Sequence, residues 1–342
     1  MLHVISNLEI GGAEKVLAGV ATAAGDFRHH VVSLGSFGPL GQRLKAQDVS
    51  VTALGMSRGQ ISFHKIFKLW LAVRRVKPDL IQTWMYHSDL LGGLVGKLAG
   101  IPVIWNIRKS SLNFASIKKS TLAVMFACGA LSWLVPKQII VCSSSSPGNH
   151  RRFGYRTSAM AFVPNGVDLH RFRSSVADPK PERTKLGLSP DKFTIGMFVR
   201  FHPQKDIFGF LNALQNLQNY SHGYQVVLAG RGMDKENLVL VDALQQRKLS
   251  NVVVLAGFIE EPASALNALD LLVLSSSSGE GFPNILAEAM AAGVPCVATD
   301  TGESRQIVAN TGWIVEPSNP VGLAQAISNA MKCSSDEMKS RG

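Results

Sequence analysis

Residues 275–300, SSSSGEGFPNILAEAMAAGVPCVATD, carry two carboxylates, Glu280 and Glu288, on either side of a turn marked by Gly and Pro. A strand-like run ends there in Ser and Gly, Pro283 suits the first turn of a helix, and Gly293 suits its end. A helix beginning at that point presents the backbone N–H groups of Asn284 and Ile285 and the positive end of its dipole, a setting that holds phosphate. Carboxylates accept hydrogen bonds from hydroxyl groups. Two of them flanking an anion-binding turn therefore suit a ligand whose diphosphate lies between two hydroxyl-bearing rings, which is the shape of a nucleotide sugar. Two carboxylates on an ordinary solvated helix would need no such turn between them.

The elements that position these residues come in two successive rhythms. In the first half the short apolar runs LHVIS, HHVVSL, DLIQTW, PVIWNI and QIIVCS alternate with longer helical patterns such as GGAEKVLAGVATAAG and DLLGGLVGKLAG. In the second half FTIGMFV, YQVVLAG, NVVVLAG, LDLLVLSS and VPCVATD repeat the alternation. Alternation of this kind predicts parallel sheets covered by helices on both faces, with ligands at the carboxyl ends of the strands. At 342 residues the chain exceeds what one core usually serves. The reading is therefore α/β, two tandem Rossmann-like doubly wound domains, residues 1–168 and 169–342, facing a central cleft. Residues 173–192, rich in Ser, Pro and charge, read as the connecting segment.

An apolar fraction of 46% with 17% charged residues marks a globular chain. The net charge of +11 is unevenly placed: residues 1–170 hold 19 Lys and Arg against 7 Asp and Glu, a net of +12. The remainder holds 35 − 19 = 16 basic and 24 − 7 = 17 acidic residues, a net of −1. A basic half points to an anionic partner such as a membrane surface or a lipid diphosphate, or to a solvated basic face. Nucleic acid is disfavoured, because no recognition motif or aromatic platform accompanies the charge. In residues 61–77, ISFHKIFKLWLAVRRVK, Phe63, Phe67 and Trp70 interleave with Lys65, Lys68, Arg74 and Arg75 at helical spacing, as a helix lying on an anionic bilayer would. The run Leu122 to Val135 is shorter than the roughly 20 residues of a spanning helix and reads as a buried helix. Leu2 to Ser6 reads as a strand and not as part of a signal peptide. Cys128, Cys142, Cys296 and Cys333 show no C-x-x-C spacing and suit reduced thiols. Gly11-Gly12 belongs to no G-x-G-x-x-G fingerprint, which argues against a nicotinamide dehydrogenase.

The stretch Glu280-Gly-Phe-Pro-Asn-Ile-Leu-Ala-Glu288 resembles the Glu-x7-Glu motif of the family-4 retaining glycosyltransferases. The resemblance spans the chain. It includes Gly11-Gly12-Ala13-Glu14, Asn165-Gly166-Val167-Asp168, Arg200 with Lys205 in RFHPQKD, and PSNPVGLAQAI near the end. It implies the GT-B fold and transfer of a hexose or N-acetylhexosamine, with retention, from a nucleotide diphosphate sugar to a hydroxyl. Glu280 would contact the donor sugar, and Glu288 would hold the ribose. Arg200 and Lys205 would grip the diphosphate, where fixed cations stabilise leaving-group charge before reaction. Phe282, Pro283, Asn284 and Ile285 would line the donor, with the base against the backbone of Phe258 and Ile259. Gly11 and Gly12 would approach from the other domain. No Asp-x-Asp sequence is present to hold a divalent ion, so no metal and no cofactor beyond the donor itself is expected.

Where many members of that family carry a His that contacts the donor sugar, the matching stretch WNIRKSS offers Arg108 and Lys109. Either cation could bind an anionic acceptor. His87 and Asn165 complete the candidate acceptor or sugar contacts, each open to a purely structural role. The acceptor implied is a lipid-linked saccharide of a bacterial surface polymer, with the enzyme peripheral on the inner face of the cytoplasmic membrane. A nucleotide-sugar epimerase of the same fold and a non-catalytic sugar-nucleotide-binding assembly subunit are the alternatives. Family members finish with a helix that crosses back to the first domain, and MKCSSDEMKSRG stops where that helix is expected to begin.

Overall fold

The computed structural model describes residues 1–23, 25–57, 62–109, 117–173, 178–217 and 223–341. The chain divides into two compact units, Met1–Gly166 and Val167–Gly342.

The first unit is built on β1 (Leu2–Ile5), β2 (His30–Ser33), β3 (Ser50–Ala53), β4 (Ile81–Trp84), β5 (Val103–Ile107), β6 (Gln138–Val141) and β7 (Met160–Phe162). All pair in parallel in the order β3-β2-β1-β4-β5-β6-β7. The near-continuous apolar runs follow from this, since a parallel strand covered on both faces must be apolar on both. Ile5, Val31 and Trp84 pack on one face with Leu17, Leu40 and Leu44 from helices Gly12–Thr22 and Gly38–Ala46. Val4, Ile81 and Trp105 pack on the other with Leu69, Val95 and Met125 from helices Phe63–Val76, Tyr86–Leu98 and Lys119–Leu131.

The second unit repeats the design with β8 (Phe193–Phe198), β9 (Tyr224–Ala229), β10 (Val253–Gly257), β11 (Leu271–Leu274), β12 (Cys296–Thr299) and β13 (Trp313–Val315), ordered β10-β9-β8-β11-β12-β13 and parallel throughout. One continuous core joins the sheet to helices Ile207–Leu217, Asn284–Ala291 and Pro320–Lys332, with Phe210, Leu214, Leu286 and Ile327 fully buried. A helix at Ser335–Arg341 lays the Arg341 guanidinium over the Trp313 ring at 4.9 Å.

Four readings change. Strands β3, β7 and β13, absent from the apolar-run rhythm, are sheet edges whose side chains are half-buried or exposed and none fully buried. The connecting segment carries, in its described part, a short helix, Lys180–Lys185, that docks on the second unit through Arg183. That guanidinium is buried, donates to the Ala268 and Pro190 carbonyls, and pairs with Asp270 at 2.7 Å. Helix Lys119–Leu131 buries Met125 and Cys128 but leaves Phe126 in water, and Trp133 and Leu134 beyond it are exposed. Pro283 sits at the N-cap and not in the first helical turn. Ile61, Ser110 and Ser111, named with the basic helix and with WNIRKSS, lie outside the described residues.

Candidate functional site

In the second sheet the strand order reverses between β8 and β11, so the loops leaving their carboxyl ends diverge and open a crevice. The loop after β8 carries Arg200 and Lys205, and the loop after β11 carries Glu280. Lys205 Nζ forms an ion pair with Glu280 Oε1, the two side chains only 15% and 9% exposed. Ser276 Oγ donates to the same oxygen at 2.5 Å. The loops are stitched to each other: Ser275 Oγ donates to the Lys205 carbonyl at 2.9 Å, and the Ser277 N–H donates to the Gln204 carbonyl at 2.9 Å. Removing either partner of a buried pair strands the other charge, at about 3–5 kcal/mol. Each therefore holds the other at the crevice.

A third loop, after β12, braces Glu280 from behind. The Glu303 N–H donates to the Gly281 carbonyl at 2.9 Å. Gly302 takes φ +59°, and a Cβ there would lie 2.4 Å from the Gly281 oxygen. No larger residue fits that approach without moving the Glu280 loop. Pro283 then turns the chain, its carbonyl accepting from the Leu286 N–H at 3.0 Å, and the helix begins at Asn284. Phe282, Asn284 and Ile285 are half-buried at this start, with Glu288 half-buried one turn on. Arg200 is exposed and makes no ion pair among the described residues. Phe258 and Ile259 follow β10, two strands beyond β8.

The first sheet reverses between β1 and β4. Gly11, at the N-cap, and Gly12, opening the helix, follow β1, while His87 follows β4, and Ser6 Oγ lies 3.2 Å from Ser88 Oγ across the two loops. Met85 at the foot of the His87 helix has φ 71° and ψ 157°, a backbone state costing about 1–3 kcal/mol outside glycine. It is held there by donation from its N–H to the Asn106 carbonyl and by acceptance from the Asp89 N–H. Asp89, fully buried, accepts from Thr83 Oγ1 at 2.6 Å, and burial pushes its carboxyl well above the usual range. Partial burial lowers the His87 imidazole from its ordinary value, favouring the neutral ring. Arg108 is brought to Asn165: Nη1 donates to Oδ1 at 2.5 Å, and the guanidinium lies over the Trp84 ring at 5.1 Å. Lys109 is half-buried beside it.

Sequence reasoning missed several of these residues. Ser276 is one of four consecutive serines, and nothing in the run says which faces the carboxylate. Asn106, fully buried with neither side-chain atom hydrogen-bonded, reads as one more residue of an apolar strand. Among the described residues no group of three or more His, Cys, Asp or Glu could hold a metal ion, and no helix is long and apolar enough to cross a membrane.

Two doubly wound parallel units, each with its candidate residues at a strand-order reversal, define the GT-B class, and solved structures agree. An Anabaena protein, Alr3699/HepE, crystallised with UDP-glucose, matches with a TM-score of 0.84 over 99% of this chain and 91% of its own at 21% identity. WaaG, a glycosyltransferase involved in lipopolysaccharide biosynthesis, matches with a TM-score of 0.74 over 100% and 93% at 13% identity. The sequence pattern of the family described as Glycosyltransferase Family 4 matches residues 10–171, and that of Glycosyl transferases group 1 matches residues 192–333. The chain belongs to the group 1, family 4 glycosyltransferases. A putative glycosyltransferase of Bacillus subtilis, EpsF, is 26% identical over 88% of this chain and 79% of its own length. An Escherichia coli enzyme named UDP-Gal:alpha-D-GlcNAc-diphosphoundecaprenol alpha-1,3-galactosyltransferase is 23% identical over 73% of this chain and 66% of its own.

Proposed function

We propose that this glycosyltransferase moves a hexose or N-acetylhexosamine from a nucleotide diphosphate sugar to a hydroxyl of a lipid-linked saccharide during synthesis of a bacterial surface polysaccharide, with retention at the anomeric carbon. The buried Lys205–Glu280 pair beside a helix start at the reversal of the second sheet carries the donor half of this reading. Glu280 accepts hydrogen bonds from the sugar hydroxyls, and Glu288 from the ribose. Lys205, Arg200 and the N–H groups at the helix start receive the negative charge that grows on the diphosphate as the bond from the anomeric carbon to phosphate oxygen breaks. The acceptor oxygen bonds to that carbon on the face the diphosphate leaves, and its proton passes to a departing phosphate oxygen. No protein nucleophile takes part, and side-chain cations serve where other transferases place a metal.

The acceptor half draws on Arg108, Lys109 and His87, on the excess of positive charge in the first unit, and on the diphosphoundecaprenol-linked substrate that the Escherichia coli relative's name specifies. The same charge, with the exposed aromatic residues of helix Phe63–Val76, supports residence on an anionic membrane surface.

Purified protein incubated with a panel of nucleotide sugars and membrane extract is expected to release nucleoside diphosphate, in EDTA as without it. Glu280→Ala and Lys205→Ala are expected to lower that rate at least a hundred-fold, since one preorganised group is worth about 3 kcal/mol. Unchanged turnover in both variants would remove the site assignment. An altered sugar nucleotide formed without acceptor, seen by NMR, would replace transfer with epimerisation.

A further inference from the structure

The sheet of the second unit ends at β10, and among the described residues no strand pairs with that edge. The other sheet edges are short, polar or covered. β13 is shielded where the Arg341 guanidinium lies over Trp313, β7 has three residues, and β3 interrupts its apolar run with Ser50 and Thr52. β10 has five residues, VVLAG, with no charge, proline or polar side chain to refuse another strand. Its ladder fixes which backbone groups face outward. The Val226 N–H donates to the Val252 carbonyl, so positions 252, 254 and 256 serve β9, and the Val253 carbonyl and the Leu255 N–H point to the open side. The Val253 N–H is already taken by the Leu249 carbonyl.

A groove of about 810 Å³ runs along that edge, lined by Val241 and Gln245 of helix Leu238–Gln246, by Leu186 of the connecting segment, and by Val253 and Leu255 of the strand. The crossovers from β8 to β9 and from β9 to β10 step one way along the sheet, and the crossover from β10 to β11 steps back. Right-handed connections therefore put helix Leu238–Gln246 on one face and helix Pro262–Leu266, against which Lys180–Lys185 packs, on the other. The groove is one sheet layer wide between two helix layers, the space of one more strand. Leu238, three residues before Val241 and so on the same helix face, is 70% exposed.

Charge selects which strand. The amino end of β10 carries Arg247 and Lys248, with no acidic residue between Asp242 and Glu260. The loops at the carboxyl end carry Asp234, Glu236, Glu260 and Glu261 against Arg231 and Lys235. A second copy running antiparallel sets basic end against acidic end twice, whereas a parallel one sets like against like. Lys248 and Glu260 are equally far along the chain from Val254, on opposite sides of it. We propose that β10 pairs antiparallel with β10 of a second copy about a two-fold axis at Val254, joining two sheets of six strands into one of twelve. The Leu255 N–H of each copy then donates to the Val253 carbonyl of the other, and the two helices Leu238–Gln246 lie side by side over the joint and cover Leu238.

The test is sedimentation equilibrium of the full chain over a concentration series, for wild type, Lys248→Glu, Glu260→Lys and the double variant. Wild type is expected to reach twice the chain mass with a Kd of about 10 μM or below. Each single reversal acts at both ends of the joint and is expected to weaken dimerisation about ten-fold or more, and the double variant, which exchanges the signs, to return to within about three-fold of wild type. Melts by circular dichroism should be unchanged in all of them. Val254→Cys, in a chain that also carries Cys333→Ser, reads the register directly. Facing residues that do not share hydrogen bonds across an antiparallel joint have Cα atoms about 4.5 Å apart, within disulfide range. Oxidised glutathione is therefore expected to link two copies at that position, while Cys333→Ser alone, its other cysteines buried, stays unlinked. A wild-type chain that is monomeric at about 100 μM, well above the Kd expected, overturns the joint. A dimer indifferent to both single reversals places the contact elsewhere and also overturns it. A double variant no tighter than the single ones, or Val254→Cys that fails to link, overturns the antiparallel pairing.

Discussion

Lys205 and Glu280 pair with each other, so on the proposed function a donor would exchange one set of partners for another in place of charging an empty pocket. Preorganisation of that kind is what lets a cation act on developing charge without reorienting. A different economy operates at His3, buried on β1. Its Nδ1 accepts from the Trp84 indole N–H at 3.3 Å, which places the ring proton on Nε2, donated to His29 Nδ1 at 2.9 Å. Burial, with His29 and the N-terminal ammonium nearby, lowers His3 from 6.5 to about 3. The unfolded chain therefore takes up a proton below about pH 6.5 that the folded chain refuses until about pH 3, and stability is lost as pH falls through that window. At pH 5 the loss is about 2 kcal/mol, a fall of several degrees in the melting temperature of a unit this size. Thermal melts at pH 7.5 and 5.0 should show this difference in wild type and a smaller one in His3→Gln. An undiminished difference would assign the acid sensitivity to other groups, His29 and His30 first, whose values are lowered in the same direction.

At the scale of elements, the site is three loops leaving β8, β11 and β12, and their mutual fit depends on Gly302. Gly302→Ala meets both a left-handed φ and the Gly281 carbonyl, whereas Gly293→Ala, at φ +76°, meets the φ penalty with nothing within 4 Å. Gly293→Ala is expected to lose about 1–2 kcal/mol of stability, and Gly302→Ala, with the added clash, more. Only Gly302→Ala is expected to lose nucleotide affinity, ten-fold or more, because its Cβ pushes on the segment bearing Glu280. Equal nucleotide binding by the two variants in calorimetry would show that the β12 loop does not brace the site. The same scale explains which elements were legible. The ten strands that read as apolar runs are mostly buried inside the sheets, while β3, β7 and β13 lie at edges, where half-exposed side chains break the run. Helix Lys180–Lys185 was hidden because its composition is that of a linker. Its anchor, Asp270, lies 87 residues from Arg183.

Across the whole molecule the positive charge belongs to the first unit, and the structure locates part of it. Helix Phe63–Val76 buries Leu69 and Val73 and turns Phe63, Phe67 and Leu71 outward, 86%, 56% and 49% exposed, with Lys68, Arg74 and Arg75 on the same arc and no acidic residue along its length. Trp70, expected among the outward aromatics, is half-buried under Arg74 instead. An arc of this kind suits the interface of an anionic bilayer, each cation contributing about 1 kcal/mol. Sedimentation with vesicles containing phosphatidylglycerol is expected to fall at least thirty-fold in partition coefficient for a Lys68, Arg74, Arg75→Gln triple variant, and to weaken in 0.5 M salt, where screening is about 4 Å. Equal binding to uncharged phosphatidylcholine vesicles would dispose of the electrostatic part of this reading.

The sequence by itself determined the two parallel α/β rhythms, the turn between Glu280 and Glu288, and the split of charge, because each is written in residues close together along the chain. Tertiary structure alone decided that Lys205 would meet Glu280 across 75 positions, that Ser276 and not its neighbouring serines would face that carboxylate, and that Arg231 would lie on Phe258. Periodicity records which side of an element is buried. It carries no record of which loops converge where the strand order of a sheet reverses, since that is set by the packing of strands distant in the chain.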